Sequence, residues 1–167
     1  MKIINERRSV RSFSDQKVEE EKILSVLKAA MQAPSAKNQQ PWEFVVIEKD
    51  SVLKELVRVS NYEKFEKGAS IAIVVLAKTK DLKSEKFFPQ DLGASIENLL
   101  LEAVEQGLGA TWLGVYPKEE RIEALNDILD LKEGVIPFAL IALGYPKKEN
   151  QNKFIDRFDE KRIQWIK

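Results

Sequence analysis

Apolar positions along this chain fall into two kinds of run. Over about 18–32 they recur at helical spacing, with Ile23, Leu24, Leu27, Ala30 and Met31 on one face. Glu19, Glu20 and Glu21 load the first turn with negative charge, which the positive end of the helix dipole favours. Such a run reads as a solvated helix start, not as a metal or acid–base cluster. Pro34 should end the helix, because proline disfavours helical backbone in the residue before it. Residues 42–47 and 71–76 are instead continuous apolar stretches rich in β-branched and aromatic residues, the pattern of buried strands. Between them, Leu53, Leu56 and Val57 give 51–59 a helical spacing, and 60–67 is polar enough for a loop or turn. No apolar period is sustained over 78–89, as expected of a mobile loop near a site or of a surface excursion.

The next helix, over about 91–106, is apolar around most of its circumference: Leu92, Ala94, Ile96, Leu99, Leu100, Leu101, Ala103 and Val104, interrupted mainly by Glu97, Asn98 and Glu102. Such a helix is buried on both sides, at the centre of the domain or at a subunit interface. We favour an interface between two copies, with Asn98 a satisfied amide inside it. Gly107, Gly109 and Gly114 then allow a helix C-cap and a close backbone approach around Leu113 and Gly114. Their spacing is neither a dinucleotide fingerprint nor a P-loop. Pro117 suits the first position of a further helix, which turns Ile122, Leu125, Ile128 and Leu129 inward, and 135–144 is the last central strand. The tail, about 147–167, is basic and irregular. It still carries Phe154, Phe158, Ile163, Trp165 and Ile166, so it should dock, most simply on a partner subunit.

Composition narrows the chemistry. A chain of 167 residues with 44% apolar content can bury one core, and suits a single domain. Lys plus Arg and Asp plus Glu both number 27, which argues against a dedicated nucleic-acid binder. No apolar run reaches the length of a membrane span or forms a signal-peptide core, so a cytoplasmic protein without a membrane partner is expected. The chain has no cysteine and no histidine. Disulfides, the usual zinc sites, Ser-His and Cys-His pairs and a histidine base are thereby removed. Carboxylates, lysine, tyrosine, a hard metal, or a cofactor with its own reactivity remain, and the cofactor is the economical choice.

Two stretches could hold such a cofactor. Three of the seven arginines stand within Arg7-Arg8-Ser9-Val10-Arg11, although lysines number twenty. The guanidinium fork matches phosphate or carboxylate oxygens, so the cluster reads as a phosphate site or as an ordinary solvated basic turn. Between Pro34 and Pro41 lies the polar loop Ser35-Ala36-Lys37-Asn38-Gln39-Gln40, which could read the edge of a heterocycle or simply connect helix to strand.

These stretches resemble the FMN-dependent nitroreductase family, particularly its compact members. Arg7-Arg8-Ser9-Val10-Arg11 is similar to its Arg-Arg-Ser-x-Arg opening, and 33–42 to its Ala-Pro-Ser-Ser-x-Asn-x-Gln-Pro-Trp motif, with Ala36 in place of the second serine. The glycine run 107–114 and the tail 157–165 also match in order. The resemblance implies an α+β three-layer sandwich, helices around a mixed, mainly antiparallel sheet, assembled as an intertwined homodimer with two FMN sites. It implies that Arg7, Arg8, Ser9 and Arg11 hold the phosphate and ribityl chain, with Arg157 or Arg162 closing from the tail. Pro34, Ser35, Ala36, Asn38 and Gln40 would line the flavin, partly from the second subunit, and backbone at Leu113 and Gly114 would meet its ring. The expected activity is transfer of reducing equivalents from NAD(P)H through FMN to a nitroaromatic, quinone or related small acceptor in a ping-pong cycle. No catalytic side chain and no metal are expected. The rival expectation is a flavin-binding dimer for storage, sensing or partner binding; a third is another reaction on the same flavin.

Overall fold

The computed structural model describes residues 2–59, 69–148 and 151–167; the expected turn over 60–67 lies outside them. Helices α1 (Lys2–Glu6), α2 (Glu20–Met31), α3 (Asp50–Glu55), α4 (Phe88–Glu105) and α5 (Glu119–Leu129) surround strands β1 (Trp42–Ile47), β2 (Ile71–Lys78), β3 (Gly109–Gly114) and β4 (Val135–Gly144). The strands lie in the order β1-β2-β4-β3, and each ladder is antiparallel. A parallel bridge from Ser9 to Ala110 makes the sheet mixed.

Alternation along the central strands divides the core into two layers. Ile71, Ile73, Val75 and Ala77 of β2, with Ala139, Ile141 and Leu143 of β4, meet Ile23, Val26 and Ala30 of α2 and Leu92, Ile96, Leu99 and Ala103 of α4. The intervening residues Ala72, Val74, Leu76, Leu140 and Ala142 face Leu56, Val59 and Leu125 on the other side. Both faces of β2 and β4 are covered, which is why these strands read as continuous apolar runs.

The register of β2 against β4 shifts between Val75 and Leu76, whose partners are Ala139 and Pro137. Phe138 is the extra residue of this bulge, and Phe138 and Ala139 both join the α2–α4 layer. A bulge also accommodates Pro137, which has no ladder donor. The Phe138 carbonyl accepts from the backbone N–H of both Val115 (3.2 Å) and Tyr116 (3.0 Å) as the chain leaves β3.

Several sequence expectations need correction. In α2, Leu24 and Met31 are exposed, and the buried face is Ile23, Val26 and Ala30. α4 begins at Phe88, three residues earlier than expected, because Pro89 fits a first turn whose N–H groups have no intrahelical acceptor. α5 begins at Glu119, so Pro117 lies outside it and Lys118 is the N-cap. The short α1 was not anticipated. As expected, the end of α4 is a glycine cap: Gly107 has φ +73°, Leu108 N–H donates to Ala103 O (2.7 Å) and Gly107 N–H to Val104 O (3.0 Å).

Candidate functional site

The arginine stretch is strapped to β3 by backbone. Val10 N–H donates to Ala110 O at 2.9 Å, and Val10 itself is 1% exposed. A Cβ at Gly109 would lie 2.7–2.8 Å from Cβ, Cγ1 and Cγ2 of Val10, so only glycine lets the two segments approach this closely. Ser14 N–H donates to Tyr145 O (2.8 Å) and Lys147 N–H to Ser12 O (3.0 Å), fixing the far end of the segment beside the exit of β4.

Within this strap Arg7 pairs with Glu97 of α4 at 3.1 Å. Arg8 is turned elsewhere. Its N–H donates to Asn152 Oδ1 (3.3 Å), Asn152 Nδ2 donates to Leu108 O (3.2 Å), and a terminal guanidinium nitrogen of Arg8 donates to the Arg7 carbonyl. Its Nε is buried without a hydrogen-bond partner. Desolvation first, and then the like charges of Arg157 and Arg7, hold the Arg8 pKa below its ordinary value. Arg8 thus lies within electrostatic reach of both Arg157 and Arg7, and neither Arg8 nor Arg157 has an ion-pair partner among the described residues. Arg162 instead pairs with Asp159 of its own tail at 3.3 Å. Ser9 and Arg11 are exposed beside the cluster. Such an arrangement suits an oxyanion.

The carboxamide loop is built differently. Lys37, Asn38 and Gln40 have φ of 51°, 53° and 45°, left-handed conformations costly to residues with a Cβ. Strain of this kind persists only where the surroundings over-determine it. Asp91 of α4, 5% exposed, accepts from Ala36 N–H at 2.8 Å and from Gln39 Nε2 at 2.6 Å. Gln39 further donates to Ser84 O (3.1 Å) and accepts from Ser84 N–H (2.9 Å), which ties the loop to the segment before α4. The stretch without apolar period is thus docked on the loop, not a detached excursion. Ser35 Oγ accepts from Gln40 N–H (3.0 Å), and Gln40 Nε2 donates to Asn38 Oδ1 (3.0 Å). Pro34, Asn38 and Gln40 stay exposed, with Ser35 and Ala36 half-buried. Sequence reasoning missed Asp91 and Gln39. A carboxylate in the first turn of a helix reads as a dipole-favoured surface charge, and only its burial marks it out.

The third stretch is the edge strand. Because Ala110 turns its carbonyl toward Val10 and away from β4, strand alternation turns the backbone N–H groups of Trp112 and Gly114 to that same edge, and that of Leu113 toward β4. Space is open where a Gly114 side chain would be, and Arg121 donates to the Gly114 carbonyl at 2.6 Å. Tyr116 follows, stacked on Phe138 (5.8 Å between centroids) and edge-on to Phe88 (5.5 Å).

One chain does not gather all these residues. The strap holds the arginines beside β3 and Arg157, whereas the loop docks at the start of α4. No hydrogen bond or ion pair joins the loop to the arginines among the described residues. Glu97 and Asp91, which tether the two stretches, stand six residues apart on α4, about 9 Å along its axis. A groove of about 920 Å³ bordered by Asp15, Lys17, Lys49 and Ser70 contains none of the candidate residues. No group of His, Cys, Asp or Glu suited to a metal ion occurs among the described residues.

The nitroreductase family model matches residues 4–69 and 56–145, spanning all three stretches. The chain belongs to the nitroreductase family. It is 43% identical to a provisionally named NADH dehydrogenase/NAD(P)H nitroreductase of Archaeoglobus fulgidus, over 98% of this chain and 95% of that protein. Among solved structures, a provisionally named NADH oxidase from Clostridium acetobutylicum matches with a TM-score of 0.94 and 50% identity, covering 99% of each chain. A nitroreductase from Desulfovibrio desulfuricans, likewise provisionally named and solved in complex with FMN, matches with a TM-score of 0.82 and 31% identity, over 99% of this chain and 94% of that one. The fold is that of this family, and membership makes the chain an oxidoreductase.

Proposed function

We propose that this nitroreductase-family protein is an FMN-dependent enzyme that passes reducing equivalents from NAD(P)H to a nitroaromatic, quinone or related acceptor. The observation that carries the proposal is the Arg8 Nε, buried and unpaired, with Arg7 and Arg157 near enough to repel its charge. A phosphate monoester supplies about −1.5 to −2 charges and three acceptor oxygens, which suits that arrangement. Arg157 is the tail arginine of choice, since Arg162 is engaged by Asp159. Pro34, Ser35, Ala36, Asn38 and Gln40 would line the flavin. Gly114 would offer a main-chain donor to the ring with no side chain in the way, beside Leu113. FMN, when bound, supplies the redox chemistry, and alternate occupancy of one site by donor and acceptor gives the ping-pong order.

The functional unit of this proposal is a homodimer acting in the cytoplasm, and no helix among the described residues is long and apolar enough to cross a membrane. Two features support the dimer. Gly93, Ala94, Leu101 and Val104 leave one stripe of α4 half-open, and Phe154, Phe158, Trp165 and Ile166 of the tail are 62%, 76%, 72% and 92% exposed. A second copy would cover both surfaces and bring the loop of one chain toward the arginines of the other.

The test is an anaerobic visible spectrum of the protein with FMN, before and after NADH and then NADPH. Perturbed flavin bands that bleach establish the reductase and its preferred nicotinamide. Perturbed bands that stay oxidised leave a flavin-binding protein without this turnover, and unperturbed bands overturn the phosphate site.

A further inference from the structure

We propose that Asp91 is a positioning residue for the site, holding the loop 35–40 in the strained conformation that presents its carboxamides. The proposal rests on the flavin reading above for its functional consequence, but the wiring itself stands on the loop geometry.

Burying a carboxylate is costly unless its oxygens are hydrogen-bonded. Asp91 is 5% exposed, and it has no ion-pair partner among the described residues. A charge wanted only for the helix dipole would serve equally at the surface. Both oxygens are instead aimed at one turn. Oδ1 accepts from the backbone of Ala36 and Oδ2 from the side chain of Gln39, the residues on either side of the left-handed pair Lys37 and Asn38. The carboxylate therefore staples the turn across its strained part. Gln39 has both ends of its amide engaged, by Asp91 and Ser84, so it can hold the loop but has little left for a ligand.

The consequence lies at the residues the staple leaves free. Asn38 and Gln40, both of positive φ, are exposed and linked to each other through Gln40 Nε2 and Asn38 Oδ1. The remaining ends of the two amides have no partner among the described residues and can meet a ligand edge. Without Asp91 the loop would relax toward ordinary backbone regions and lose this presentation. Asp91 touches no ligand in this scheme; it acts through Ala36 and Gln39.

The test compares Asp91→Asn, Asp91→Ala and a destabilised control, Leu99→Ala, which removes core packing without reaching the loop. In FMN titrations Asp91→Asn should weaken binding about tenfold and Asp91→Ala further, while Leu99→Ala lowers the melting temperature and leaves the affinity of the folded protein within about twofold of wild type. Hydrogen exchange of the flavin-free protein should be at least about tenfold faster at the Ala36 amide in Asp91→Asn, with the helix amides unchanged. FMN affinity of Asp91→Asn equal to that of the control, or unaltered exchange at Ala36, overturns the inference. If Asp91→Ala does not fold, Gln39→Leu removes one arm of the staple and should weaken FMN binding in the same direction. A wild-type protein that does not bind FMN sinks the flavin reading, and the exchange measurement then decides the wiring by itself.

Discussion

Gly109→Ala isolates one contact, the seam between the arginine strap and the sheet. The added Cβ would meet three atoms of Val10 at 2.7–2.8 Å, well inside van der Waals contact. Val10 is 1% exposed and bonded through its backbone to Ala110, so it cannot simply swing away. Overpacking of this kind costs about 1–3 kcal/mol, and a domain of this size loses about 2–4 °C in Tm per kcal/mol. A drop of roughly 4–8 °C is the central expectation for a cost of about 2 kcal/mol. Val10→Gly removes all three clashing atoms, at a cost of about 2–4 kcal/mol from lost burial and added backbone freedom. In that background the alanine at 109 occupies vacated space and should be neutral or stabilising. Urea denaturation of wild type, both single variants and the double variant closes the cycle. The coupling should favour the double variant by about 1 kcal/mol or more. Additive single effects would refute the seam.

Two further outcomes follow from the charges. Arg8→Met should weaken FMN binding by about tenfold to a hundredfold, because charge-assisted hydrogen bonds contribute about 1.5–3 kcal/mol, while the melting temperature of the flavin-free protein holds or rises as the repulsion with Arg7 and Arg157 is relieved; fluorescence titration and melting curves read both, and unchanged FMN affinity would remove Arg8 from the phosphate site. Lys22 donates to Tyr145 Oη (2.8 Å), and this bond, ahead of the Tyr145 and Glu19 charges, raises the Lys22 pKa above its ordinary 10.5. Its stabilising contribution is therefore complete below pH 10.5 and is lost as pH rises through the higher folded value. The stability advantage of wild type over Tyr145→Phe should shrink on titrating from pH 9 to 11.5 in melting experiments, and a constant advantage would refute the coupling.

The central strands were legible because β2 and β4 are covered on both faces and carry apolar runs with no polar interruption, whereas β1, expected to be buried like them, is an edge strand with Glu43 and Val46 exposed. α2 was legible through its period, but its buried edge was misjudged: helical spacing allows Leu24 and Met31 on the same face as Ile23, and only packing against α4 decides between them. Proline misled once, at Pro117, and was passed over once, at Pro89. Pro89 lies inside α4 and Pro117 outside α5, since the first helical turn accepts proline and the loop before it does too. The arginine cluster and the carboxamide loop stood out by composition. Their supports did not, because Asp91, Gln39, Ser84 and Asn152 are ordinary polar residues whose importance comes from partners 44 to 144 positions away. The left-handed backbone at Lys37, Asn38 and Gln40 was hidden too, since no glycine marks it.

The strap that seats the arginines also sets an order of events during synthesis. Arg7, Arg8 and Arg11 leave the ribosome well before the groups that hold them. Those groups arrive in turn: Ala110, then Tyr145 and Lys147, and finally Asn152, 144 positions beyond Arg8. Contacts of such separation form slowly, and a nascent chain gains them only when its far partners have been made. Interrupted translation should therefore yield chains with β1 and β2 already paired but with the arginines unplaced, so that affinity for a phosphate ligand appears only once Asn152 has emerged.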